Sequence, residues 1–290
     1  MSGHYRQTVD ICNGRGRCAT SKVQYLGMSD EIFIVSSSPA PADRRAYGSD
    51  PNQFFDLRLP AGKPPRAGFA LLLNIHGGFW RARYDLTHAG HLCAALTKRG
   101  MATANLEYRR IGNEGGAWPG SFTDIRAAYK FLHQHAEEYN VDARKILIMG
   151  HSAGAQLALC QAAHETSVCG VISLAGVLDL QRAYELHLSH DAVAEFLGGA
   201  PNEVPERYRD ADPMQLSIKN VRQVLFHGSS DEEVPAEFSR LYVANKQKRT
   251  GDEIEDVQLV EISGAGHYDL IDPRTAAWKQ VENKIVELLK

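Results

Sequence analysis

The chain has no apolar stretch long enough to cross a membrane. The longest runs from Gly68 to Ile75, far short of the roughly 18 residues a spanning helix needs. Met1 to Asp30 carries Arg, Asp, Lys, Asn and Gly throughout and has no apolar core, so a cleaved secretory leader is not expected. Cysteine is scarce: Cys12, Cys18, Cys93, Cys160 and Cys169 are odd in number and irregular in spacing. That argues against a disulfide framework and for free thiols in a reducing, cytoplasmic setting. Blocks of like charge are missing, and the net charge is −3. Both argue against nucleic-acid binding by phosphate neutralisation. The expected partner is a small-molecule substrate, with no nucleic acid and no membrane; a homodimer is the candidate assembly.

What is present is ordinary for a globular protein: 43% hydrophobic and 23% charged residues over 290 positions, enough for one large α/β domain or two small ones. Residues 1–30 read as a polar arm, and residues 31–290 as a single domain. Turn-forming runs fill residues 36–66, interrupted by a short strand, Phe54 to Leu59. From Ala70 onward, apolar strand patterns alternate with helix patterns. Strands are expected at Ala70–Ile75, Ala102–Tyr108, Lys145–Met149, Val171–Leu174, Val221–Phe226 and Val257–Ile262. Helices are expected at Thr87–Arg99, Phe122–Tyr139, Ala153–His164, Ala192–Leu197, Ala236–Arg249 and Ala276–Leu289. This rhythm predicts a mostly parallel sheet with helices on both faces. Ile146 to Met149 has no polar position, as a strand covered on both sides requires. Residues 177–219 break the rhythm with Gly198-Gly199, Pro201, Pro205 and Pro213, and an insertion of that size reads as a small lid over a site.

Gly150-His151-Ser152-Ala153-Gly154 fits G-x-S-x-G. The pattern alone is weak, but here it follows an apolar strand and precedes a strong helix former, the strand–turn–helix of a nucleophile elbow. The competing reading is a turn with Ser152 as a helix N-cap. A serine hydroxyl needs a base, and the base needs a group to orient it. In sheets with such an elbow the acid and then the histidine follow the serine. Asp231, in the turn after Val224 to Gly228, is the candidate acid, with Glu232 and Glu233 as rivals. His267, in the glycine-rich turn after Val260 to Ile262, is the candidate base. His133 and His135 sit in a predicted helix, and His187 and His190 in the insertion. The turn His76-Gly77-Gly78-Phe79-Trp80 ends the first long strand. Its Gly78 and Phe79 amides, with Gly77 as a further donor and Ala153 after the nucleophile, are the candidate oxyanion hole. His76 is expected to brace this loop. Trp80, Trp118 and Tyr268 are candidate substrate-pocket aromatics, with core packing as the equal alternative.

His76-Gly-Gly-Phe-Trp80, Gly150-His-Ser-Ala-Gly154, His227-Gly-Ser-Ser-Asp231 with Val234-Pro235, Gly266-His267 and Tyr108-Arg-Arg-Ile-Gly together resemble the α/β-hydrolase superfamily. Within it the chain is similar to the esterase and kynurenine formamidase (arylformamidase) group, over about residues 65–290. The resemblance implies an α/β-hydrolase fold and a serine hydrolase with a Ser152–Asp231–His267 triad and no cofactor. It implies cleavage of a carboxylic ester of a small or aromatic substrate, or of an aryl-formamide. A non-catalytic binding protein on the same fold is the alternative from another class. Two weaker signals remain. Gly14-Arg-Gly16-Arg-Cys-Ala19 fits a relaxed dinucleotide fingerprint but lacks its strand and helix. Glu185, His187, His190 and Asp191 match no standard zinc spacing, so no metal is expected.

Overall fold

The computed structural model describes residues 9–12, 18–21, 43–248, 251 and 254–288. Of the arm expected over residues 1–30, two strands fall within these, β1 (Val9–Cys12) and β2 (Cys18–Ser21), paired antiparallel. Gly14 and Gly16 of the fingerprint-like stretch lie outside the described residues.

The main sheet has eight strands: β3 (Asp43–Ala46), β4 (Phe54–Arg58), β5 (Phe69–Ile75), β6 (Ala102–Leu106), β7 (Val141–His151), β8 (Gly170–Leu174), β9 (Gln223–Gly228) and β10 (Val257–Ile262). Their order across the sheet is β10-β9-β8-β7-β5-β6-β4-β3. Strands β10 through β6 run parallel, and β4 and β3 are added antiparallel at one edge. This is the α/β-hydrolase fold. β3 lies in the run expected to be turns. It is a mostly exposed edge strand, Asp-Arg-Arg-Ala, with no apolar alternation to announce it.

The parallel strands need crossovers: α1 (Gly90–Lys98), α2 (Gly120–Gln134), α3 (Ala153–His164) and α7 (Glu237–Gln247) supply all but the one from β8 to β9, which the insertion makes, and α8 (Ala276–Leu288) packs back on the sheet after β10. The period-2 geometry of β7 divides the core into two layers. Ile146 and Ile148 join the layer holding α2, α3 and α7. Leu147 and Met149 join the layer holding α1 and α8, with Leu92, Leu96, Trp278 and Val281. All four β7 side chains are buried, and each is worth roughly 1.5–3 kcal/mol of apolar burial.

The insertion over residues 177–219 folds as three short helices, α4 (Leu180–Glu185), α5 (Ala192–Leu197) and α6 (Pro205–Ala211). Asp179 caps α4 by accepting from the Arg182 amide, Gly198 ends α5 with φ 80°, and Pro205 opens α6. These are the local devices expected of short helices.

After β5 the chain moves to β6 on one side, then returns to β7 on the other side of β5. The crevice beyond the carboxyl ends of β5 and β7 is therefore the topological switch point, where ligands bind in open α/β sheets.

Candidate active site

The turn after β7 sets Ser152 at φ 56° and ψ −121°, a strained conformation for a non-glycine residue. The flanking glycines are required sterically. A Cβ on Gly150 would sit 2.5 Å from the Ala155 nitrogen, and one on Gly154 would sit 2.5 Å from the His76 carbonyl oxygen. The elbow is held by the Ser152 amide donating to the Leu174 carbonyl at 2.8 Å. Ser152 is the residue before α3, so the free amides and positive end of that helix lie beside its hydroxyl.

The turn after β5 packs directly on this elbow. A Cβ on Gly77 would lie 2.8 Å from the His151 oxygen and 3.0 Å from Ser152 Cβ. Gly78, Phe79 and Trp80 follow with φ of 107°, 48° and 58°, so three successive left-handed residues curl the chain toward the crevice. Among the described residues, no acceptor is found for the Gly78 or Phe79 amide. His76 braces the loop: Nδ1 donates to the Gly77 carbonyl at 2.8 Å, and Nε2 lies 3.1 Å from Glu107 Oε1.

Sequence reasoning gives Glu107 no role. Buried at the end of β6, it also accepts from the Leu86 amide at 3.1 Å and pairs with Arg110 at 2.9 Å. Burial pushes its carboxyl up, but His76, Arg110 and the Leu86 amide outweigh that and hold it below the ordinary glutamate value. The signal available is weak, since Glu107 follows a strand that already carries the polar Thr103 and Asn105.

Strands β9 and β10 deliver the other two side chains. His267 Nδ1 donates to Asp231 Oδ2 at 2.7 Å. Asp231 Oδ1 accepts from the amides of Glu233 at 3.0 Å and Val234 at 2.9 Å. Burial raises the Asp231 carboxyl, and hydrogen bonds from His227 and His267 overcome it, leaving the group well below the carboxylate range. Of the three rival acids, Asp231 is therefore the one that meets His267, whereas Glu233 lines the rim of the crevice.

Ser152 and His267 line one cavity of about 110 Å³, with Gly78, Phe79, Tyr84, Ser189 and Tyr268 among its other walls. Ser189 comes from the insertion, and Arg81 ties that segment to the loop after β5 through Glu195 at 2.8 Å and Ser189 Oγ at 3.0 Å. His88 and His151 also line the cavity. Burial and the neighbouring His76 press His88 down to about 3.

Two of the expected pocket aromatics, Trp80 and Trp118, lie away from the cavity. Trp80 is fully buried beneath the loop, stacked on Phe196 at 4.5 Å, with its indole N–H donating to Gln156 Oε1 at 3.0 Å. Trp118 stacks on Phe122 at 5.2 Å. Neither lines the cavity: the insertion's Phe196 holds Trp80 in the core and meets Trp118, which is half-buried, at 6.1 Å; Tyr268 does line it. In the acidic-histidine stretch of the insertion, His187 pairs with Asp191 at 2.6 Å. Among the described residues, no cluster of three or more His, Cys, Asp or Glu side chains converges on a metal position. No described helix is long and apolar enough to cross a membrane.

The BD-FAE family model matches residues 55–245. Among curated proteins, the chain is 25% identical to Esterase LipC of Mycobacterium tuberculosis, over 79% of this chain and 60% of that protein. It is 26% identical to the isoprenylcysteine alpha-carbonyl methylesterase ICME of Arabidopsis thaliana, over 84% of this chain and 60% of that protein. The chain thus spans about 60% of the length of these curated relatives. Among solved structures, it superposes with a TM-score of 0.70 on the propionate-bound thermophilic esterase Est2 of Thermogutta terrifontis, at 24% identity over 87% of this chain and 94% of the other. With a truncated carbohydrate esterase from gut microbiota the TM-score is 0.72, at 20% identity over 86% and 97%. The likeness to these structures is one of fold.

Proposed function

This chain belongs to the BD-FAE family, and we propose that it is a serine hydrolase that cleaves a carboxylic ester with a small acyl group through an acyl-enzyme intermediate. The observation that carries the reading is a single cavity holding the Ser152 hydroxyl and the His267 ring, with Asp231 bonded to the far nitrogen of that ring.

In this reading Ser152 Oγ attacks the ester carbonyl while His267 Nε2 takes its proton. Asp231 keeps the ring in the Nδ1–H tautomer and stabilises the imidazolium. The oxyanion receives N–H bonds from Gly78, Phe79 and Ala153, with Gly77 shaping the turn. Collapse of the tetrahedral species breaks the bond to the alcohol, which takes the proton from His267. Water, deprotonated by the same ring, then releases the acid and restores Ser152. Side chains and amides of this chain handle every proton and charge in the sequence.

The cavity, about 110 Å³, is small against the roughly 300–1,000 Å³ of drug-sized sites, which favours acetyl or propionyl over long acyl chains. Aryl-formamides such as N-formylkynurenine are the second substrate class: formyl is the smallest acyl group, and Phe79, Tyr84 and Tyr268 provide aromatic walls.

The test is hydrolysis of p-nitrophenyl acetate, butyrate and octanoate, a feruloyl ester and N-formylkynurenine, each with wild type and Ser152→Ala. Short esters are expected to react fastest, with all turnover lost in the variant. Turnover that survives Ser152→Ala removes the serine mechanism, and binding without turnover supports the non-catalytic alternative.

A further inference from the structure

The residue before the candidate nucleophile is itself a buried histidine, and the steps above do not use it. His151 Nε2 lies 3.1 Å from the main-chain carbonyl oxygen of His267. A carbonyl can only accept, so Nε2 carries the hydrogen. The two rings lie 4.5 Å apart. Nδ1 is then a bare lone pair, buried, and among the described residues it meets no partner. An unsatisfied buried group costs roughly 1–3 kcal/mol, a cost that a phenyl ring in the same place would avoid. The histidine brings one thing a phenyl would not: a hydrogen bond between two separate loops, the elbow after β7 and the base loop after β10.

Apart from bonds within the base loop itself, such as the Gly266 amide to Asp269 Oδ2 at 2.7 Å, two bonds tie it to the turn that carries the acid. The Ser230 amide donates to the Ala265 carbonyl at 3.0 Å, and the Gly264 amide donates to Ser229 Oγ at 2.9 Å. They fix the imidazole relative to Asp231. The bond from His151 comes from the nucleophile side and joins the neighbour of Ser152 to His267 itself. We propose that His151 is a positioning residue, whose Nε2–H bond to the His267 carbonyl sets the reach of the base over the Ser152 hydroxyl. The inference rests on the serine-hydrolase reading for its effect on rate, but not for its effect on the loop.

The charge state of the ring agrees with this geometry. Burial, then the charges of His267 and His88, hold His151 well below the ordinary histidine value. The titratable groups facing it are His267, His88 at 6.5 Å, Tyr268 at 6.0 Å and, beyond His267, Asp231. A neutral His151 keeps its donor and does not repel the imidazolium that forms on His267.

The test compares three variants. His151→Phe keeps a ring without a donor. His151→Asn keeps a polar group too short to reach the carbonyl. His151→Gln places an amide N–H near the Nε2 position. With p-nitrophenyl acetate, Phe and Asn are expected to lower kcat by about 10- to 100-fold, with KM within about twofold, and Gln to recover to within about fivefold of wild type. Amide hydrogen exchange over residues 263–270 is expected to quicken in the Phe and Asn variants and not in Gln, whether or not the protein turns over. Wild-type kcat in the Phe or Asn variant, equal impairment of all three, or exchange unchanged by Phe and Asn overturns the proposal. A wild type that neither hydrolyses the ester nor reacts with a fluorophosphonate overturns the serine-hydrolase reading instead, and the exchange data then decide the role of His151 alone.

Discussion

His267 Nδ1 sits 2.7 Å from Asp231 Oδ2, and His227 Nε2 lies 3.3 Å from the same oxygen. One buried carboxylate oxygen thus accepts from His267 and lies beside His227, whose Nε2 also faces the Val234 carbonyl at 2.9 Å, while its partner oxygen takes two main-chain amides. Replacing the carboxylate with an amide, Asp231→Asn, presents an N–H where an acceptor is needed and selects the wrong His267 tautomer. The expected loss in kcat is about 10³- to 10⁴-fold with KM little changed, read by steady-state kinetics on a short p-nitrophenyl ester. A loss under tenfold would remove Asp231 from its role.

The same contacts fix the sign of the pH dependence. Asp231 is held well below the carboxylate range. Its contribution is present above the unfolded aspartate value and is lost only as pH falls through the depressed folded value. The acid limb of the rate is therefore expected from protonation of the base rather than of Asp231. A rate that stays flat from neutral pH down to about pH 4 contradicts His267 as the base.

Glycine at 154 is demanded by backbone atoms that cannot move aside: its Cβ would crowd the carbonyl oxygens of Ile75 and His76. Gly154→Ala is expected to cost about 3 kcal/mol or more, or to leave no soluble protein. Gly264 is the contrast, with φ 74° and open space within 4 Å of where a Cβ would sit. Gly264→Ala meets only the left-handed backbone penalty, about 1–2 kcal/mol. Denaturant titration separates the two, and equal costs would contradict the steric origin of the elbow's glycine.

Glu107 is the anchor beneath the loop after β5. Glu107→Gln leaves His76 and Arg110 facing a neutral amide in a buried site. The expected cost is about 2–4 kcal/mol of stability, together with a fall in kcat as the loop loses its brace. Thermal unfolding and kinetics on the same samples test it; unchanged stability and rate would show that His76 is held by other means.

Asp212, at the end of α6, is a buried carboxyl raised to about 7 by burial and then by the charge of Asp179. A folded value above the unfolded one means stability fully present below about pH 4 and lost as pH rises through about 7. Asp212→Asn is expected to raise Tm at pH 8 and to change it little at pH 4. A gain confined to acid pH would reverse the assignment.

Much of this architecture is legible in the linear chain, because parallel strands covered on both faces leave uninterrupted apolar runs. Ile146 to Met149 and Val224 to Phe226 are such runs, and Ser152 and Asp231 stand a few residues beyond them. The chemistry-bearing residues follow strand ends, so their shared edge can be read from order alone. What order does not carry is which way a side chain turns. Trp80 stands in the glycine turn after β5, as a pocket residue would, yet it turns inward, where Phe196, far along the chain, offers a stacking face. Glu107 and His151 meet their partners 31 and 116 residues away along the chain. β3 is read as turn because its pairing with β4, rather than its own apolar content, makes it a strand.

The central claim is that the Ser152 hydroxyl is the nucleophile and His267 its base. Peptide mass mapping after reaction with a fluorophosphonate tests it most directly. One adduct is expected, on Ser152, absent in Ser152→Ala and formed at least about 100-fold more slowly in His267→Ala. An ester-hydrolysing protein that stays unlabelled, or that carries the adduct on another residue, would contradict it.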